Sequence, residues 1–175
     1  MYNFHNFRDH KMQKGEFLAS SPFISNKLLY NTVIMILECN ESIVSAIKIN
    51  QHKLNRDEHY AYPICDEGKI SGQKKMFFLH DEDERLKNSE KLAENIFVTS
   101  TEQKMQFYPK KYYAVHGCMN FIYSEFIEDI KNGEWVNVHG SSKLVFDTPV
   151  VKRWHDAYKT CGIRPEMIQR GCAYC

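Results

Sequence analysis

Between residues 113 and 163 the hydrophobic period keeps switching between two and about 3.6, so strands and helices must alternate over a short length of chain. Tyr113, Ala114 and Val115 form an apolar strand that breaks at Gly117. A helix of about two turns then carries Phe126, Ile127 and Ile130 inward, and Gly133 supplies its stop. Trp135-Val136-Asn137-Val138 alternates like a half-buried strand, and Lys143-Leu144-Val145-Phe146 reads as another. Thr148-Pro149 opens a last helix, with Thr as its N-cap and Pro at the first helical position, where the missing N–H costs nothing. Along that helix Val150, Val151, Trp154, Ala157, Tyr158 and Cys161 make an apolar stripe, opposite Lys152, His155, Asp156 and Lys159. Gly162 ends it, and Trp154 is its core anchor.

The rest of the chain is consistent with one domain over residues 1–175, with 1–14 as a lead-in segment carrying Tyr2, Phe4 and Phe7. Residues 15–22 read as a short strand ending at the Ser21-Pro22 turn. Residues 32–38 are apolar almost without interruption, which implies burial on both faces, and 43–50 is the natural hairpin partner. Residues 51–63 are polar and aperiodic, hence a loop. Met76-Phe77-Phe78-Leu79-His80 and 95–100 are further strands. The run Asp81-Glu82-Asp83-Glu84 reads first as a solvated loop or helix start. About seven strands and two or three helices follow, hairpins first and helices late. The fold class is α+β: a mostly antiparallel sheet, barrel-like if it closes, flanked by two or three helices.

Composition narrows the function classes. Basic and acidic residues number 23 and 22, a net charge of +1. That balance gives no general attraction to nucleic acid or to membrane surfaces. The apolar run 33–37 is far short of the ~20 residues needed to span a bilayer, and residues 1–14 hold no apolar block of the secretory kind. The expected compartment is the cytoplasm, where the six cysteines stay reduced.

Gly117-Cys118-Met119-Asn120-Phe121, Ile130, Trp135, Phe146-Asp147-Thr148-Pro149, Arg153-Trp154 and Gly162-Ile163 together resemble the C-terminal signature of the YqgE/AlgH family. The resemblance extends over 15–50, 76–100 and 113–173. Ser42, Ile43 and Ser45 stand where relatives carry glycines, and Gly68-Lys69-Ile70-Ser71-Gly72 replaces a Gly-Gly-Pro segment. The family consists of small cytoplasmic bacterial proteins described as candidate transcriptional regulators. What the resemblance implies is a non-catalytic module that binds a protein or a small-molecule ligand, without a cofactor. It also implies that Gly117, Phe121, Trp135, Phe146, Asp147, Pro149, Arg153, Trp154 and Gly162 form a structural signature.

Three constellations could carry chemistry, and each has a plainer reading. On one unbroken strand His116 and Cys118 would share a face, with Cα atoms roughly 6.5 Å apart. Joined by His139, they could form a reactive ion pair or part of a metal site; a buried thiol beside a solvated strand-end His is the bland alternative. Cys172 and Cys175 have the spacing of half a zinc site or a redox pair, but no second pair completes it. Lys152, Arg153 and Lys159 could meet phosphates, yet no helix-turn-helix precedes them and a solvated basic face is the better explanation. No phosphate-cradling glycine loop, dinucleotide fingerprint or nucleophile elbow is present.

Overall fold

Strand β2 (Val33–Cys39) sends Val33 and Met35 into one core and Ile34 and Ile36 into another, and all four are fully buried. A strand covered on both faces must be apolar throughout, which is why its sequence shows no alternation. The structure, a computed structural model, describes residues 11–50, 65–66, 76–81, 88–101 and 109–168. The aromatics of the lead-in, the 51–63 loop, glycines 68 and 72, most of the 81–84 acidic run, and Cys172 and Cys175 lie outside the described residues.

The α+β, mostly antiparallel class holds, and the described residues arrange its strands as two sheets of five strands each. The first runs β10 (Trp135–Val138), β1 (Phe17–Ser20), β2, β3 (Ile43–Lys48), β9 (Met119–Ile122), antiparallel throughout. The second runs β4 (Cys65–Asp66), β8 (Tyr112–His116), β5 (Met76–His80), β7 (Ile96–Thr101), β6 (Glu90–Ala93). It is antiparallel except for the short β4–β8 pair. Four inter-strand spacings would put β9 and β10 about 19 Å apart in a flat sheet. Yet Phe121 on β9 and Trp135 on β10 bring their rings to 6.1 Å, so the first sheet curls into a half-barrel.

Inside that curl lies helix α1 (Tyr123–Lys131), whose Phe126 and Ile130 are buried as the periodicity required. The outer face of the same sheet receives Leu79, Ile96, Val98 and Val115 of the second sheet together with helix α2 (Arg153–Thr160). The fold is therefore layered, with the curled sheet in the middle. Both helices end alike. Gly133 and Gly162 adopt φ of 75° and 70°, and the residue after each glycine donates back, Glu134 to the Asp129 carbonyl at 2.9 Å and Ile163 to that of Tyr158 at 3.2 Å. This paired closure satisfies the last carbonyls of each helix and explains both glycine stops.

Other expectations are corrected. Residues 143–147 form a single turn of π-helix, closed by the Thr148 N–H on the Lys143 carbonyl at 3.0 Å, and not a strand. Leu144 and Val145 still reach the core, because a wide turn and a strand can each bury two adjacent apolar residues. Thr148 does not cap α2: its hydroxyl donates backward to the Lys143 carbonyl at 3.1 Å, and a 3₁₀ turn over Val150–Lys152 intervenes. That turn rotates Val151 into solvent, off the predicted stripe. The 117–121 break also contains more than a turn, since β9 begins within it at Met119. Among the described residues, no helix is long and apolar enough to cross a membrane.

Helix α2 is held to β1 by polar as well as apolar contacts. Trp154 Nε1 and the Tyr158 hydroxyl both donate to the Ser20 carbonyl, at 2.9 and 3.0 Å. Trp154→Ala removes a buried ring and one of these bonds, and is expected to cost about 3–5 kcal/mol in denaturant unfolding. Tyr158→Phe leaves the carbonyl bonded to Trp154 and is expected to cost only about 1 kcal/mol at neutral pH. Burial, with a smaller contribution from Cys161, pushes the Tyr158 hydroxyl well above the usual tyrosine range. Below pH about 10 both states keep the proton, and above it the unfolded chain ionises first, so stability falls as pH rises. Tm measured from pH 9 to 11 should therefore drop less steeply in Tyr158→Phe than in the parent protein; equal slopes would refute this. Gly140 lies against the Phe17 ring so closely that an added Cβ would fall 1.9 Å from a ring carbon. Gly140→Ala is accordingly expected to destabilise by about 1–3 kcal/mol through overpacking, read from the same unfolding curves.

Candidate functional site

The chain passes from β8 of the second sheet to β9 of the first through two residues, Gly117 and Cys118, of which Gly117 is buried at φ 80°. A side chain would be strained in that conformation, so glycine is required for the crossing. The positive φ also interrupts the side-chain alternation on which a shared His116–Cys118 face depended. His116 pairs through its backbone with Met76 and Asp66. Cys118 follows the turn and is half-buried, with its thiol 3.8 Å from Asn120 Oδ1. The same oxygen accepts a 2.7 Å hydrogen bond from the Ser45 hydroxyl. His139 is exposed just beyond β10, at the opposite edge of the curled sheet. Cys118 is thus brought to Asn120 and Ser45, residues that sequence reading had not connected with it. Only cross-strand register, which needs the β3–β9 pairing, could have shown that link.

Around this polar trio the surface is aliphatic. Ile43 on β3 and Ile122 on β9 stand directly opposite one another and are 45% and 57% exposed. No strand pairs with the outer side of β9 among the described residues. The corner therefore offers backbone groups at an edge, two aliphatic side chains and a small polar group beside them. Cys39, on β2, is less suited to chemistry, since burial first and Glu16 second raise its thiol above the usual value and keep it protonated. Among the described residues no three His, Cys, Asp or Glu side chains gather as a metal would need.

The signature residues have structural uses in this fold. Phe121, Phe126 and Trp135 form an aromatic cluster inside the curl, with the two Phe rings stacked at 4.4 Å. Asp147 accepts from Lys111 at 2.8 Å, tying the π-turn to the start of β8 and holding that lysine above its usual pKa. Phe146 packs against the core and Pro149 starts the turn before α2. Arg153, expected among the surface cations, is buried instead. Its Nε donates to the Thr148 carbonyl at 2.9 Å, another guanidinium nitrogen donates to that of Ile49, and the plane lies 4.8 Å over the Tyr113 ring. The planar fork suits two carbonyls and a ring face at once, which an ammonium could not match. With Arg153 inside, the phosphate-facing set contracts to Lys152 and Lys159.

Comparison with known proteins places this geometry. The family model described as AlgH-like matches residues 17–166. A UPF0301 protein of Mannheimia succiniciproducens is 23% identical, the match covering 93% of this chain and 98% of that one. Another, from Proteus mirabilis, is 22% identical over 85% and 91% of the two chains. The solution structure of the AlgH protein from Pseudomonas aeruginosa superposes with a TM-score of 0.66 at 17% identity, covering 89% of this chain and 94% of that one. A crystal structure of a Corynebacterium diphtheriae protein gives 0.68 at 14% identity, over 91% and 94%. The two solved structures share the fold, and the family match spans both sheets and both helices: the chain belongs to the AlgH-like family.

Proposed function

We propose that the protein is a non-catalytic binding module of the cytoplasm, and that it takes an extended apolar segment of a partner protein along β9. The observation that carries this reading is the exposed Ile43–Ile122 pair at an edge strand. An edge strand exposes unpaired backbone donors and acceptors, and an added strand gains affinity from them while side-chain pockets give selectivity. Asn120 and Ser45 sit beside the pair and would read the polar positions of such a segment. A regulatory role would then be exercised through a protein partner.

Selection of a displayed random-peptide library on the immobilised full chain tests the reading. It is expected to return segments with alternating aliphatic residues, whose binding slows amide exchange at 119–122. Ile122→Lys is expected to weaken them at least about tenfold, equivalent to ~1.4 kcal/mol, with Tm unchanged. If no such peptides emerge, or if the variant binds them as well as the parent does, the proposal fails.

A further inference from the structure

Helix α2 presents His155 and Lys159 one turn apart on its exposed side. After Gly162 reverses the chain, Ile163 and Arg164 run back beside the helix, and a 3₁₀ turn over Pro165–Met167 follows. Between the helix and this return lies a depression of about 350 Å³, lined by His155, Lys159, Ile163, Arg164, Pro165 and Glu166. That volume falls in the range of small-ligand pockets. Its floor is apolar, with Pro165 buried and Ile163 packed against the main core. Its rim is charged.

The charges are unequally committed. Lys159 is held by Asp156 at 2.7 Å. Glu166 Oε1 lies 3.4 Å from His155 Nε2, close enough for one of the protein's own carboxylates to pair with the imidazole when it is protonated. Arg164 has no carboxylate partner among the described residues. A guanidinium offers two parallel donors to a carboxylate and is the strongest recogniser of one on this rim. We propose that the depression binds a small organic monocarboxylate: its anionic end takes Arg164 and displaces Glu166 from His155, and its apolar body rests on Ile163 and Pro165. The fixed charges at the rim, Lys159 and Arg164 against Asp156 and Glu166, cancel. A polyanion such as a nucleic-acid backbone therefore gains no net attraction there, whereas a single carboxylate needs only one cation, such as Arg164, that lacks a carboxylate partner among the described residues.

The test is a heteronuclear NMR titration of the full chain with sodium benzoate, run beside sodium phosphate, a short single-stranded oligonucleotide and sodium chloride at matched ionic strength. Benzoate is expected to produce saturable shifts confined to 155–166, beyond those of chloride. Arg164→Gln is expected to weaken this binding about fivefold or more, as loss of a charge-assisted pair does, and Glu166→Gln to tighten it about threefold by removing the internal competitor. Both side chains are exposed, and unchanged Tm would show that the fold is kept in each variant. The absence of saturation, indifference to Arg164→Gln, weakening by Glu166→Gln, or equal binding of phosphate or oligonucleotide would each overturn the proposal.

Discussion

A single backbone oxygen organises much of this molecule. The Ser20 carbonyl ends β1 and receives hydrogen bonds from both Trp154 and Tyr158. Strand β1 is second in its sheet, hydrogen-bonded to β10 on one side and β2 on the other. Anchoring α2 there fixes the helix against strands from both ends of the sequence. Two aromatic donors on successive helical turns suit the task, because each buries a large apolar surface and still delivers one polar atom to the same acceptor. Arg153, one residue earlier, extends the clamp to the carbonyl of Ile49 and the ring of Tyr113. The helix thereby joins the two sheets, through main-chain oxygens of the first and an aromatic ring of the second.

Much of this was legible in the residues. The uninterrupted apolar run of β2 announced burial on two faces, and the spacing of Phe126 and Ile130 announced α1. Gly133 and Gly162 announced where the helices stop. The misreadings have a common origin, since they fall where two conformations bury the same pattern. Lys143-Leu144-Val145-Phe146 has the composition of a strand, but Asp147 is tied to Lys111 and Thr148 bonds back to Lys143, which closes a wide turn instead. Arg153 looked like a surface cation because side-chain chemistry alone does not disclose a buried pair of carbonyls. Strand β6 escaped notice for a different reason. Glu90-Lys91-Leu92-Ala93 offers only Leu92 as a fully buried apolar residue, and the strand exists because a two-residue turn with Asn95 at φ 54° folds it onto β7.

The candidate surfaces were harder to read than the core. Ile43 and Ile122 are distant in sequence, and neither is unusual in its own segment. Their alignment arises from strand register, and their exposure from the limited reach of the second sheet. The depression beside α2 likewise depends on how Gly162 turns the chain. Side chains that hold the fold together follow local periodicity, whereas those that form a surface are assembled by topology, which is why the former were recognised first.

The Ser20 anchor has a consequence for how the chain is made. Synthesis delivers β1 and its neighbour β2 long before the partners on the other side, because β10 and the two aromatic donors lie between residues 135 and 158. During translation the oxygen and the β10 side of β1 remain unclaimed until residues 135–158 have been made. Pairings this remote in sequence are slow to form, since a large loop must be ordered before any contact rewards it. Closure of the first sheet is thus a late event in synthesis, and a chain without α2 would keep all five strands of that sheet while leaving the Ser20 oxygen without either aromatic donor.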